Sequence, residues 1–297
     1  LERADDFIGP YSQIASLPDS VLTYSDASVA SGQTYYYRLR SLQGVYSDYT
    51  YTEEVFTFSN SLADSWDNTK FFKGRGRENF LDVVTDASGS SYLVGYATDT
   101  TTFGALQVTS KGAHDLLAVK LDSLGSPVWA KSFGSTGTDI LEGVQVDGQG
   151  NVYVTGYYNG AMAIGADSLP ALGHPDMITI KLNAANGDVI WAKPAGGTGD
   201  SGGLSVAVDS VGNVFVAGYF NGSLTHGATT LNGGGHALLK YDANGAPLLA
   251  LQGALVSAQT SFVNQFQRVK VNNAGVYVLG KYNNDWTFGG LPATGIG

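Results

Sequence analysis

The chain has 297 residues and a formal net charge of −10; 43% are hydrophobic, 11% aromatic and 14% charged, and none is cysteine. An acidic chain is a poor partner for a nucleic-acid backbone or an anionic membrane surface, and without cysteine there are no disulfides, cysteine nucleophiles or thiolate metal sites. A charged share well under the usual quarter, with 40 glycines and 17 tyrosines, predicts an all-β protein with many turns.

No run approaches the roughly 18 apolar residues that a membrane helix needs, so no membrane insertion is expected. Leu1-Glu-Arg-Ala-Asp-Asp6 is not a signal peptide and opens directly into strand-like sequence. Leu291-Pro-Ala-Thr-Gly-Ile-Gly297 stops where a further strand should follow, and the expectation is a piece of a longer polypeptide.

Residues 1–58 read as short strands and turns, with strand candidates at Ser12–Leu17, Val21–Tyr24, Thr34–Leu42 and Tyr49–Phe56. In Gln33-Thr-Tyr-Tyr-Tyr-Arg-Leu-Arg-Ser41, Tyr35, Tyr37 and Leu39 share one face and Tyr36, Arg38 and Arg40 the other. That alternation suits a half-exposed sandwich strand. The tyrosines are read as core plus one exposed face, with a carbohydrate platform as the alternative. Leu1-Glu-Arg-Ala4, Tyr11-Ser-Gln-Ile-Ala15, Tyr24-Ser-Asp26, Gly32–Arg40 and Ser47-Asp-Tyr49 resemble the last two-thirds of a fibronectin type III domain, in that family's order. Residues 59–65 read as a polar linker.

A repeat fills residues 66–297. Asp86-Ala-Ser-Gly-Ser-Ser-Tyr-Leu-Val-Gly-Tyr96 returns as Asp147-Gly-Gln-Gly-Asn-Val-Tyr-Val-Thr-Gly-Tyr157 and as Asp209-Ser-Val-Gly-Asn-Val-Phe-Val-Ala-Gly-Tyr219, with a looser copy at Asn272–Gly280. The strand-closing glycines at 95, 156, 218 and 280 are 61, 62 and 62 residues apart. A fixed period of this size marks a propeller, solenoid or array. Each period divides into four short strands, as in a propeller blade; in the second copy they are Gly143–Val146, Asn151–Tyr157, Asp176–Leu182 and Asp188–Ala195, the last two joined by an Asn-Gly turn at Asn183–Gly187. Blades are expected at about 80–139, 140–200, 201–260 and, incomplete, 261–297. Trp66-Asp-Asn-Thr-Lys-Phe-Phe72 echoes Trp129-Ala-Lys-Ser-Phe133 and is read as the strand that closes the ring.

Within the repeat, Tyr92, Tyr153, Phe215 and Tyr277 occupy one position, and a large flat ring there would fill the wedge between neighbouring blades. Gly95, Gly156, Gly218 and Gly280 lie inside strands, which implies a close approach by an adjacent blade or a bulge. Trp129-Ala-Lys131 recurs as Trp191-Ala-Lys193 and decays to Leu249-Ala-Leu251. Val146–Tyr157, Asp176-Met-Ile-Thr-Ile-Lys-Leu182 and Val189-Ile-Trp-Ala-Lys193, with Gly196-Gly-Thr-Gly-Asp200, resemble the SBBP repeat, a bacterial propeller repeat. The resemblance covers 66–297. It implies an extracellular or cell-surface scaffold or adhesion module, as in long surface proteins and filaments, with other surface domains or further copies as partners, and no catalytic motif.

Candidates for chemistry are few. Asp86, Asp147, Asp209 and Asp242 open Asp-x-x-Gly turns. Each turn offers one carboxylate, short of a calcium loop's six or so oxygens, so turn capping is the reading and Ca2+ the alternative. His114, His174 and His236 precede third strands in three different copies and are read as loop supports rather than a metal site; His226 stands alone. Gly134–Asp139 and Gly196–Asp200 lack the Gly-Lys-Ser/Thr of a phosphate loop and read as blade connections. Lys73-Gly-Arg-Gly-Arg77 reads as a solvated turn. No nucleophile elbow or isolated carboxylate pair is present. Catalytic, cofactor and metal residues are therefore all expected to be none. Tyr157, Tyr158, Tyr219 and Phe220 follow the second strands and would supply sugar-stacking rings if the chain were instead a glycan-binding module of a carbohydrate-active enzyme.

Overall fold

The computed structural model describes residues 1–5, 10–16, 26, 28–29, 34–38, 42–43, 45–46, 53–56, 73–74, 77–172, 175–255, 265–281, 286–288 and 291–293. Every regular element among them is a strand. The chain divides into two compact units, Leu1–Lys73 and Gly74–Gly297.

In the first unit an antiparallel sheet runs in the order Ser12–Gln13, Glu2–Ala4, Thr34–Arg38, Glu53–Phe56. Glu2–Ala4 is a strand that the sequence reading did not mark; it pairs Arg3 with Tyr37 in the middle of the sheet. Tyr35 and Tyr37 are buried with Leu1, while Tyr36 and Arg38 are half-exposed. The arginines do not simply face water. Arg3 donates to Asp26 at 2.7 Å, and Arg38 donates to Glu2 at 2.8 Å with its guanidinium 3.8 Å from the Tyr11 ring. Burial alone would raise the Asp26 carboxyl, but hydrogen bonds from Ser28, Arg3 and Tyr37 hold it below its ordinary range. The Val21–Tyr24 candidate, the 59–65 linker and the 66–72 closing strand lie outside the described residues.

The second unit is a succession of antiparallel sheets, one per repeat. The first sheet contains Glu78–Thr85, Ser91–Ala97, Asp115–Leu121 and Pro127–Phe133, paired in chain order. The second contains Ile140–Val146, Asn151–Tyr158, Asp176–Asn183 and Val189–Ala195. The third contains Ser201–Val208, Val214–Phe220, Gly235–Tyr241 and Pro247–Leu255, and is extended to six strands by Trp286–Phe288, which pairs with Pro247–Leu255, and Leu291–Ala293. Gln265–Asn272 and Gly275–Lys281 are the first two strands of a fourth.

Small hairpins follow the second strands, and in the first three repeats they lie between the second and third strands, which the four-strand reading missed. These are Thr100–Phe103 with Leu106–Thr109, Met162–Ile164 with Asp167–Leu169, Ser223–His226 with Thr229–Asn232, and Trp286–Phe288 with Leu291–Ala293. Three of them turn on Gly-Ala pairs whose glycines, Gly104, Gly165 and Gly227, have φ of 59°, 60° and 61°. Positive φ at the first turn residue alone is the type II′ geometry that matches strand twist.

The longer turns follow a second rule. At Asp86, Asp122, Asp209 and Asp242 the carbonyl accepts from the glycine three residues on. That glycine takes positive φ, giving a type I turn with a glycine bulge. Asn183–Asp188 corrects the predicted Asn-Gly pair: only Gly187 is left-handed, Asn183 Oδ1 accepts from Ala185, and the loop is one residue longer than its counterparts.

The strand glycines are explained by a bulge. The first strand of each sheet slips register between Phe80 and Asp82, Leu141 and Gly143, Gly203 and Ser205, and Phe266 and Arg268. A Cβ on Gly95, Gly156 or Gly218 would lie 1.8, 1.9 or 2.2 Å from a first-strand carbonyl oxygen, that of Asn79, Ile140 or Gly202. The closest approach comes from within the sheet, and at Gly218 the Met177 side chain of the preceding sheet also closes in, at 2.6 Å.

Consecutive sheets pack face to face through their first and second strands. The first core joins sheets one and two, with Tyr92, Val94, Leu116, Val144, Val152 and Ile180. The second joins sheets two and three through Tyr153, Val206, Val216 and Leu239, and the third joins sheets three and four through Phe215, Phe266 and Val269. Each fully buried side chain of this kind contributes about 1.5–3 kcal/mol. The first strands are also tied directly: Asp82 accepts from the Val144 amide at 3.0 Å, and Ser205 from the Val269 amide at 3.1 Å.

Candidate functional site

The recurrent polar and aromatic residues converge at the junctions between sheets. At the first junction the Trp129 indole N–H donates to the Ala184 carbonyl at 3.1 Å, and Lys120 Nζ donates to the same oxygen at 2.9 Å. The Lys120 ammonium lies 5.1 Å from the Tyr92 ring centre, and Tyr92 packs on Trp129 at 6.2 Å. Tyr92 then donates its hydroxyl to Asp86 at 2.9 Å. The second junction repeats the set: Trp191 and Lys181 donate to the Ala243 carbonyl at 3.2 and 3.3 Å, Tyr153 packs on Trp191 at 6.4 Å, and its hydroxyl reaches Asp147 at 2.9 Å. Gly187 and Gly245 admit the indoles, because a Cβ on either would come within 2.9 Å of a tryptophan ring atom. A Tyr-Trp-Lys clasp on one repeat thus grips the turn between the third and fourth strands of the next.

The turn aspartates belong to the same construction. Asp147 Oδ1 accepts from the amides of Gln149 and Asn151, while Oδ2 accepts from the Asn151 side chain and Tyr153. Asp209 and Asp242 accept from two amides each in the same spacing. These donors outweigh burial and hold Asp147 below its ordinary range, while burial and the Asp147 charge push Tyr153 up. All four named aspartates therefore cap their own turns. The third clasp is altered: Phe215 and Lys240 keep their places, but Leu249 replaces the tryptophan and is exposed. Near it, a cleft of about 580 Å³ opens between Asp209, Val211, Phe215, Asn272 and Val276.

A second grouping follows the strand glycines. Tyr96, Tyr157 and Tyr219 each lie one residue past the glycine, and Glu142 sits in the second sheet's bulge. Tyr157 is pushed up to about 12, first by burial and then by the Glu142 charge and the neighbouring tyrosines. Burial also raises Glu142, against the pull of Arg268. Tyr158 and Phe220 do not join this row. Both are buried, Tyr158 donating to the Pro170 carbonyl at 2.6 Å, so half of the predicted sugar-stacking set is core. Successive strand residues face opposite ways, which forbids a tyrosine doublet from presenting both rings.

The histidines act separately. His114 meets Tyr96 edge-on at 4.6 Å, and His236 packs against Phe266 at 5.1 Å, each at its own junction. His174 lies outside the described residues, and among those described no three His, Asp or Glu are grouped to hold a metal ion. Gly134–Asp139 and Gly196–Asp200 join one sheet to the next. Asp139 accepts from the amides of Ser135 and Asn159, and burial raises it despite those donors.

His226, which the sequence left without a role, takes the buried hairpin position held by Phe103 and Ile164 in the preceding repeats. Its Nε2 donates to the Lys240 carbonyl at 3.0 Å, its ring stands edge-on to Tyr241 at 4.5 Å, and Nδ1 has no partner. Burial lowers its pKa from the ordinary 6.5. The unfolded chain therefore takes up a proton that the folded chain refuses. The stability this histidine permits is present above pH 6.5 and drains away as pH falls below it. His226→Phe is expected to raise stability by about 1 kcal/mol at neutral pH. Its advantage over wild type in urea titrations should widen from about pH 7 to about pH 5; a constant difference would refute the assignment.

No protein-family model matches the chain, and no curated protein matches it. Among solved structures it is similar to the Neurospora crassa Pan2 WD40 domain, with a TM-score of 0.23 and 13% identity over 67% of this chain and 74% of that one. At that score the likeness carries no argument.

Proposed function

We propose that the chain is a non-catalytic segment of a large secreted or cell-surface bacterial protein, in which a fibronectin type III-like module leads into SBBP-type propeller blades that serve as a rigid scaffold for protein contact. One observation carries the reading. The residues that recur between the first two repeats, Tyr, Trp, Lys and Asp, are spent on gripping the next sheet or closing a turn. Sheets that meet through their first and second strands, with the outer strands reaching across by clasps, are what a radial array of blades requires. Protease shaving of intact source cells tests the location. Release of peptides from 77–255 supports the reading, and recovery of the chain only from the cytosol removes it.

The alternative is a glycan-binding module, favoured by Tyr157 and Tyr219 beside Glu142. It expects a glycan-array signal from the intact chain that Tyr157→Ala abolishes; a silent array eliminates it.

A further inference from the structure

We propose that Asn159 and Asn221 are sites of spontaneous deamidation in the folded protein, and that the fold holds the other three Asn-Gly pairs inert. The proposal goes beyond the scaffold reading and does not depend on it. Asparagine is followed by glycine at Asn159, Asn186, Asn221, Asn232 and Asn244. Such a pair is open to an internal attack. The glycine amide nitrogen bonds to the asparagine Cγ, and no Cβ on the glycine obstructs it. The Cγ–Nδ2 bond breaks, ammonia leaves, and a succinimide ring remains. Water then opens the ring at either carbonyl, giving aspartate or isoaspartate. The attack requires a glycine amide that is free of a hydrogen bond and able to lose its proton.

The fold sorts the five pairs on that requirement. The Gly187 amide donates to the Asn183 carbonyl at 2.8 Å, Gly233 to Gly222 at 2.7 Å, and Gly245 to Asp242 at 3.0 Å. Asn186 is restrained further, its Oδ1 accepting from the Asp188 amide at 3.0 Å and its Nδ2 donating to Asp188 Oδ2 at 2.7 Å. Among the described residues the Gly160 and Gly222 amides donate no hydrogen bond, and the Asn159 and Asn221 side chains make none. Both asparagines are exposed. They occupy one place in consecutive repeats, between the second strand and the small hairpin. Each is anchored on one side only: the Asn159 amide donates to Asp139 Oδ1 at 2.7 Å, and the Asn221 amide to the Asp200 carbonyl at 2.7 Å. The first repeat has Thr98-Asp99 there, with the Thr98 amide on the Arg77 carbonyl at 2.8 Å, so the position is shared but no side-chain amide is present to lose. Each conversion adds a negative charge. At 159 that charge falls beside Asp139, a carboxyl that burial already pushes up. In the isoaspartyl product the carbonyl that accepts from Ser135 Oγ at 2.7 Å becomes a free carboxylate, which loosens the connection between the first and second sheets.

The test is to age the intact chain at physiological temperature and mildly alkaline pH, with and without urea. Peptide mapping by mass spectrometry then follows all five pairs, and an isoaspartate-specific methyltransferase identifies the rearranged product. A committed glycine amide reacts only after its turn opens, so Asn159 and Asn221 in the native chain are expected to convert about tenfold or more faster than Asn186, Asn232 and Asn244. Both rates should rise with pH, because the attacking amide must lose its proton. In urea the five rates should converge, which shows that the fold and not the local sequence made the difference. Five similar rates in the native chain overturn the proposal. A native rate at Asn159 or Asn221 no faster than that of the three committed pairs overturns the assignment of that residue. A difference that persists unchanged in urea also overturns it, by tracing the order to sequence alone. None of these results bears on surface location, so the scaffold reading stands or falls separately.

Discussion

Trp191→Ala is expected to destabilise the repeat unit by about 3–5 kcal/mol, the range for emptying a buried tryptophan site. The indole is 5% exposed and lies between Tyr153 at 6.4 Å and Tyr241 at 6.1 Å, so its removal opens a cavity at the junction of two sheets. Most of the loss is packing rather than hydrogen bonding. The Ala243 carbonyl keeps its contact with Lys181 Nζ at 3.3 Å, so no acceptor is orphaned when the indole N–H disappears. Trp191→Phe separates the two contributions and should cost substantially less. Leu249→Ala is the internal control: the position is equivalent but 43% exposed, and the change should stay within about 1 kcal/mol. Urea titration of the three variants measures all three values. Equal losses at 191 and 249 would show that the clasp does not hold the sheets together.

The clasp also shows how far the sequence could be read. Tyr153 and Trp191 were visible as recurrent aromatics because large rings in a repeat have few places to go except a junction. Lys181 was not, because an alternating strand places lysine on its polar face, and only the fold reveals a carbonyl of the next repeat within reach. The four-strand pattern was legible from period-two alternation and glycine punctuation. The extra hairpins were not, since strands of three or four residues have too little alternation to register. Their signal was the Gly-Ala pair at 104, 165 and 227, spaced with the same period as the strand glycines. His226 follows from that oversight: without the hairpin it looked like a stray loop histidine, and with it the residue is a polar substitute for Phe103 and Ile164. Tyr158 and Phe220 were misplaced for a different reason. Each follows an aromatic neighbour, and counting rings without counting faces put both in solvent. The shared aromatic position is buried between sheets at Tyr92, Tyr153 and Phe215, whereas Tyr277 is exposed.

Gly156→Ala is expected to cost about 3 kcal/mol or more, through overpacking that the site cannot relax. A methyl at this position would sit 1.9 Å from the Ile140 carbonyl oxygen and 2.8 Å from the Leu141 Cα. Both obstacles are backbone, so no rotamer change relieves them. The first strand would have to move away from the second, where Leu141 pairs with Gly156 just before the register slip to Gly143. That strand also carries the amide of Val144 to Asp82, so the displacement would loosen the sheet's ladder and its tie to the preceding sheet together. The glycine is thus required by the bulge, and the bulge recurs beside Gly95 and Gly218, where a methyl would meet carbonyl oxygens at 1.8 and 2.2 Å. Gly148→Ala supplies the contrast. It has nothing within 4 Å, and its φ is not in the left-handed region, so alanine there should be neutral or stabilise by up to about 1 kcal/mol by restricting the unfolded chain. Urea titration of the two variants decides the matter. If Gly156→Ala unfolds at the wild-type midpoint, the bulge is not a rigid part of the sheet, and the recurrence of glycine at 95, 156 and 218 would need another cause.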